Sequence, residues 1–317
     1  MLFFVAPFVA EYLIGDLSLY LLLILVVVAP MCGGAAVLIR ELGRNKGGGW
    51  PRILCLSAAC SLLVNGLGTQ SLFNPGCQTL LKVHFLHPPY GQWLGVGGWW
   101  TLGMLDPHCF WSIGISIVLV EGLFPDRAHE PWLGWVGKMI FGVLFVLGLI
   151  AAAISGYKTN TFCGTSKEIA AFTLLFLSLV IAAFVIPGGK TKREGEVPSP
   201  WLTGIVALVL AMLLLQVSIQ WAWGAVGSMV AIDAAILLMT YRLSRRTGWT
   251  LLHTFNLGAG GAIAYGLHAF LQKPFQGGAV QARVGNAIFL AIACMLVVTG
   301  AKRTARFVAE PWSGHSG

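Results

Sequence analysis

Charge is what this chain has least of. Lys and Arg number 20 and Asp and Glu 12, together 10% of 317 residues. Against 57% hydrophobic residues and a mean hydropathy of +0.80, so few charges cannot coat the surface of a soluble fold. The class that remains is an integral membrane protein. Also missing are a phosphate-binding glycine loop, a CxxCH haem attachment, any Cys/His spacing of the zinc type and a soluble domain of any size. No metal and no cofactor is expected. No Lys or Arg precedes the first apolar stretch and no small-residue cleavage pattern follows it, so no removable signal peptide is expected. Convincing internal repetition is absent too, which counts against the inverted repeats of many transporters.

What the chain does have is apolar runs. A bilayer core takes about 20 apolar residues per helix, and about nine such runs are present: 17–39, 51–73, 106–124, 132–155, 167–186, 201–221, 224–243, 251–272 and 284–301. The expected fold is an all-α, polytopic transmembrane bundle forming one integral membrane domain over 1–317. Residues 1–15, MLFFVAPFVAEYLIG, are apolar but short and carry Pro7 and Glu11, which suits an interfacial or re-entrant lead-in. Residues 74–105 form the largest outer loop. Its Tyr90, Trp93, Trp99 and Trp100 fit the aromatic belt at a membrane interface, as an anchoring segment or as a lid over a cavity. Only Ala222, Trp223 and Gly224 separate the sixth and seventh runs, which makes those two helices neighbours.

Arg40, Arg44, Lys46 and Arg52 fill the first connection, Lys190, Lys192 and Arg193 the fifth, Arg242, Arg245 and Arg246 the seventh, and Lys302, Arg303 and Arg306 follow the ninth run. Basic residues accumulate in cytoplasmic loops, so these clusters place the N-terminus outside and the C-terminus in the cytoplasm. The net charge of +8 then calls for the bilayer as partner and for no nucleic acid. Of seven cysteines, Cys32, Cys55, Cys60 and Cys294 fall within runs as small apolar fillers. Cys77, Cys109 and Cys163 are placed at or near the outer face, where a disulfide such as Cys77 to Cys163 can form if that compartment oxidises.

Polar groups inside the runs are expensive in lipid and face the bundle interior or a wet cavity. HTFNLGAGGAIAYGLH, 253–268, aligns His253, Asn256, Gly260, Ala264 and His268 on one helical face. Its glycines suit close helix packing; two imidazoles and an amide suit either interhelical hydrogen bonds or a polar cavity. A second small-polar stripe runs through Ser57, Ser61, Asn65, Gly68 and Thr69. Asp106 and Pro107 read as the N-cap and first turn of the third helix, which then sets His108 near the outer surface and Ser112 and Ser116 along its face. Asp233 sits mid-run with apolar neighbours, so it is protonated or paired, with His253, His268 or Asn256 as partners in reach of an antiparallel neighbour at the same depth.

Five stretches resemble a family of uncharacterised bacterial multi-pass membrane proteins: APFVAEYLIGD, GGAAVLIRELGR, NGLGTQSLFNP (65–75), HCFWSIGISIVLVEGLFP (108–125) and EPWLG (130–134). The resemblance covers roughly the first 135 residues. That family is loosely similar to the CPBP group, intramembrane proteases and bacteriocin-immunity-type proteins related to the CAAX prenyl endopeptidase. The group's proteases activate water with paired glutamates, helped by His and Asn on other helices; here Val64 and Asn65 stand at the paired position. Neither accepts a proton near neutral pH, so the resemblance implies no catalytic residue and a non-enzyme.

The leading expectation is thus a non-catalytic membrane protein binding a lipid-like or isoprenoid-type molecule, or a membrane-protein partner, in a polar cavity drawn from Asn65, His108, Asp233, His253, Asn256 and His268. The alternative is a small transporter using Asp233 with His253 and His268. Below it stands an intramembrane hydrolase using Glu11, Glu121 or Asp233. The localisation expected is the bacterial inner membrane.

Overall fold

A computed structural model describes residues 1–45, 48–74, 96–186, 192–272 and 279–310. They form ten helices and, among the described residues, no strand. The helices are α1 (Leu2–Leu13), α2 (Ile24–Gly43), α3 (Trp50–Gly68), α4 (Gly98–Leu123), α5 (Trp135–Asn160), α6 (Ser166–Val185), α7 (Pro200–Leu215), α8 (Trp223–Ser244), α9 (Leu251–His268) and α10 (Ala279–Ala309). Seven of them, α2 to α6, α8 and α10, are long and apolar enough to cross a membrane. The protein is an all-α membrane bundle.

Local chemistry starts several of these helices. Thr165 and Glu168 form a reciprocal capping box at α6, and Ser199 accepts from the Leu202 amide with Pro200 in the first turn of α7, satisfying amides that a helix start leaves orphaned.

Burial then sorts the helices into layers. Within the apolar windows of α5, α6 and α8 only 6%, 11% and 11% of residues are buried, against 67% in α4. The first three therefore form the outer layer, α5 packed on α2, α6 on α3 and α8 on α4 and α7, with α4 at the centre. The centre also holds α9, with eleven of its 18 residues buried. Its glycines, His and Asn make it too polar to rank with the seven, and a helix enclosed by protein needs no apolar face for lipid. α9 and α7 approach closely: a Cβ at Gly260 would stand 2.2 Å from the Gly204 carbonyl oxygen. The glycines of the 253–268 stretch are thus used for packing, as in small-residue helix contacts generally. α7 and α8 are in contact, as their short connection predicts.

The lead-in proves to be helical and buried. α1 runs antiparallel to α2, with Phe3 against Gly33 and the Tyr12 hydroxyl donating to the Leu21 carbonyl at 2.8 Å. Its Ala6, Val9 and Tyr12 are fully buried. Twelve residues reach about 18 Å at 1.5 Å each, less than a bilayer core. α1 thus folds back along α2 as a short helical hairpin. Residue 1 lies at the depth of Gly33, and the turn at 14–18, rather than the N-terminus, reaches the end expected to be outside.

A second correction concerns the third helix, which begins at Gly98 and not at Asp106. Asp106 has ordinary helical angles (φ −61, ψ −50), and Pro107 follows it in mid-helix. The outer loop expected over 74–105 therefore ends by residue 97, while 75–95, with Cys77, Tyr90 and Trp93, lie outside the described residues. The extension puts His108 and Cys109 about 15 Å into the helix, at mid-depth and not at the outer surface. Cys109 is buried there and unpaired; Cys163 is exposed and free.

Contacts between helix ends bring the basic clusters together. Arg44 pairs with Glu121, Arg303 donates to the Leu123 carbonyl, Arg52 to that of Ala183, and Lys192 to that of Trp249. The ends of α2, α4, α6 and α10 and the start of α3 thus share one face with the loops before α7 and after α8. Lys46 and Lys190 lie outside the described residues.

Candidate functional site

The proline inside α4 shapes the polar centre. Pro107 has no N–H to donate, and the helix widens to a π-turn over Pro107–Ile115, a feature often found at functional sites. The Met104 carbonyl takes side-chain partners there: His108 Nδ1 at 2.9 Å and Ser61 Oγ at 3.4 Å. Because a carbonyl only accepts, His108 carries its proton on Nδ1, which leaves Nε2 as an acceptor. A second π-turn, Leu62–Gly68, ends α3 and carries Asn65. The Asn65 amide donates to Ser61 O at 3.1 Å and Ser61 Oγ at 3.3 Å, and its oxygen accepts from Ser71 Oγ at 3.3 Å. Asn65 and His108 are thereby joined through Ser61 and one carbonyl.

Asp106, one residue before the proline, is 6% exposed, and its Oδ2 has no hydrogen-bond partner. Asp233 on α8 lies within electrostatic reach of it, and its Oδ1 is also unpartnered. Two carboxyls this close in apolar surroundings cannot both be ionised at low cost. Each open oxygen can bond to the polar end of a ligand. Asp106 was not among the residues expected in the cavity. The Asp-Pro pair disguised it as a helix cap, although the apolar run GWWTLGML before it was the visible signal for more helix.

The other expected cavity residues are elsewhere. His253 Nδ1 accepts from the Thr250 amide at 3.1 Å, its Nε2 donates to the Pro198 carbonyl at 3.0 Å, and its ring stacks on Trp249 at 5.0 Å. Both ring nitrogens are used at the basic end of α9. The Asn256 amide donates to Leu252 O at 3.0 Å in its own helix, beside Gly204 of α7. His268 is at the opposite end, about 22 Å along the helix from His253, with Nδ1 unpartnered. The pairing of Asp233 with His253, Asn256 or His268 is thus not what the fold makes: α8 packs on α4 and α7, while the α9 neighbours are α7, α10, α4 and α1. Of the six expected cavity residues, Asn65 and His108 are linked through Ser61 and the Met104 carbonyl, while Asp233 lies in reach of Asp106 on another side of α4.

A buried ion network at the basic end went unforeseen. Arg40 is fully buried; Nη1 donates to Glu41 Oε1 at 3.2 Å and to the Glu130 carbonyl at 3.0 Å, and Nη2 donates to those of Arg127 and Ala128 at 3.0 and 3.2 Å. Its Nε lies 3.1 Å from Glu121 Oε1, and its guanidinium stacks 3.2 Å from the Trp132 ring centroid. Arg44 grips Glu121 with two bonds of 2.8 and 2.6 Å. Glu41 accepts from the Trp132 and Leu133 amides at 2.8 and 3.0 Å. Two cations and two anions balance. Three sequence stretches, 33–44, 108–125 and 130–134, meet here. Beside them His129, outside the membrane spans, is held below its ordinary pKa of 6.5 by desolvation and by the Arg44 and Arg40 charges, with Glu121 opposing.

The acids named for hydrolysis do not meet: Glu121 is neutralised by arginines, Asp233 stands beside Asp106, and Glu11 lies on α1 near Asp16 and Cys32. Among the described residues no group of three or more His, Cys, Asp or Glu could hold a metal ion. No family model matches the chain, and no curated protein or solved structure matches it.

Proposed function

We propose that this chain is a non-catalytic protein of a bacterial inner membrane, of CPBP-like ancestry, that binds the polar end of a lipid-like or isoprenoid-type molecule at the Asn65–His108–Asp106–Asp233 centre. The observation that carries this reading is Asp106 Oδ2, buried and unpartnered within electrostatic reach of Asp233, whose Oδ1 is unpartnered as well. Groups left open in a membrane interior mark a site. At the paired position Asn65 is neutral and already saturated by Ser61 and Ser71, so binding, not water activation, is the chemistry offered. The basic face is taken as cytoplasmic, which puts the C-terminus inside and the turn at 14–18 outside.

Photo-crosslinking with a benzophenone-bearing isoprenoid alcohol in phosphatidylcholine vesicles tests the reading. Labelling should concentrate on α4 and α8 and fall about tenfold in Asp106→Leu, the loss expected for one charged or carboxyl hydrogen bond. Uniform labelling of every lipid-facing helix would overturn it. The pairing of Asp233 with Asp106 also favours a second reading, a proton-coupled permease. In that reading Asp233→Asn abolishes proton flux in vesicles; His253 and His268 have no part in it, because they lie at opposite ends of α9.

A further inference from the structure

We propose that the cleft between the segment before α7 and the end of α8 is a binding site for a phosphate-bearing lipid headgroup. This cleft, about 290 Å³ in volume, is lined by Arg193, Glu194, Tyr241, Arg242, Arg245 and Arg246. Its walls are fixed by backbone. The Arg193 amide donates to Arg245 O at 2.7 Å and the Thr247 amide to Arg193 O at 3.1 Å, a short parallel bridge that ties the two segments. Lys192 Nζ to Trp249 O and His253 Nε2 to Pro198 O close the same seam on either side.

The arginines of this cleft differ from Arg40, Arg44, Arg52 and Arg303 at the same end of the bundle. Arg40 and Arg44 are consumed by Glu121 and Glu41; Arg52 is consumed by the carbonyls of Ala183, Leu42 and Asn45, and Arg303 by that of Leu123. Arg245 donates to the Tyr241 hydroxyl and lies over its ring. The guanidinium groups of Arg193, Arg242 and Arg246 have no hydrogen-bond or ion-pair partner among the described residues, and one glutamate faces them. Three open planar forks converging on one cleft suit the oxygens of a phosphate, which guanidinium groups bind bidentately.

Depth selects the source of that phosphate. Arg242 lies in the last turn of α8, a membrane-spanning helix, and Tyr241 is 56% exposed, as an aromatic at the headgroup level is. The cleft therefore opens where lipid phosphates lie. It is separate from the mid-bundle centre, so either proposal can fail alone.

The test uses the full chain in phosphatidylcholine vesicles with and without phosphatidylglycerol, with retained lipid read by native mass spectrometry. The double variant Arg242→Gln/Arg246→Gln should weaken phosphatidylglycerol retention by about tenfold or more, given roughly 1 kcal/mol per interfacial Arg. The control Lys302→Gln/Arg306→Gln should leave it unchanged. Equal loss in both, or in neither, would reduce the cleft to a generic basic face and overturn the proposal. Inorganic phosphate that displaces the lipid at millimolar levels or below would assign the cleft to free phosphate and overturn the lipid source. Should the double variant not fold, Arg193→Gln, in a loop, gives the same reading.

Discussion

Arg40 is the residue on which the basic end depends, because its guanidinium is fully buried between two carboxylates and three backbone carbonyls. Deleting one partner of such a network leaves an uncompensated buried charge, which costs about 3–5 kcal/mol. Glu121→Gln should therefore lower stability by roughly that amount in a detergent melt; a change within about 0.5 kcal/mol, the size of an ordinary surface substitution, would contradict the network. Asp106→Asn should behave in the opposite way. Buried in apolar surroundings near a second carboxyl, an ionised Asp106 is disfavoured, so a neutral amide in its place costs little. His129 gives a pH signature. Its folded pKa lies below the unfolded value of 6.5, so the folded state binds fewer protons and stability falls as pH drops from about 6.5 toward that lowered pKa. The fall should be shallower in His129→Gln, measured from pH 7 to 5. At this scale the sequence exposed the basic residues but not their partners, since Arg40 and Glu121 are 81 positions apart and nothing local announces that they meet.

At the scale of elements, the α7–α9 contact can be tested by paired glycines. A Cβ at Gly260 would collide with the backbone of α7 at Gly204 and Leu208, whereas one at Gly142 of α5 would meet nothing within 4 Å. Gly260→Ala should cost about 1–3 kcal/mol by overpacking, while Gly142→Ala should be neutral or stabilising by up to about 1 kcal/mol; equal melting temperatures would mean that the close approach is absent. All nine expected runs are present as helices because apolar length is written locally. The stretch 98–105 was misplaced because Trp-rich sequence suits an interface and Asp-Pro suits a helix start equally well. The tertiary setting, with a π-turn after Pro107 and Trp100 Nε1 donating to Ser71 O at 2.9 Å, decided for helix. The face of α9 was legible as small and polar; that it meets α7 and not α8 was not, since sequence adjacency favoured the wrong neighbour.

For the whole molecule, the gathering of the basic ends on one face makes a topology prediction. Cys163 is exposed and lies at the other face, where Gly164 donates to Gln70. In a Cys77→Ser background it should react with a membrane-impermeant maleimide added to intact cells, whereas the substitution Arg242→Cys should react only after lysis. The reverse pattern would invert the bundle. Asn65 and His108 share one hydrogen-bonded chain and Asp233 lies near Asp106, pairings between helices that no local sequence pattern announces. His253 and Asn256 lie at one end of α9 and His268 at the other, so a shared helical face does not gather them at one depth. The central claim, binding without hydrolysis, is tested most directly by presenting the full chain in vesicles with a farnesylated peptide and following the peptide by mass spectrometry. The account predicts that the peptide stays intact and bound, and loses binding in Asp106→Leu. A cleaved product that disappears in Asp106→Asn would contradict it.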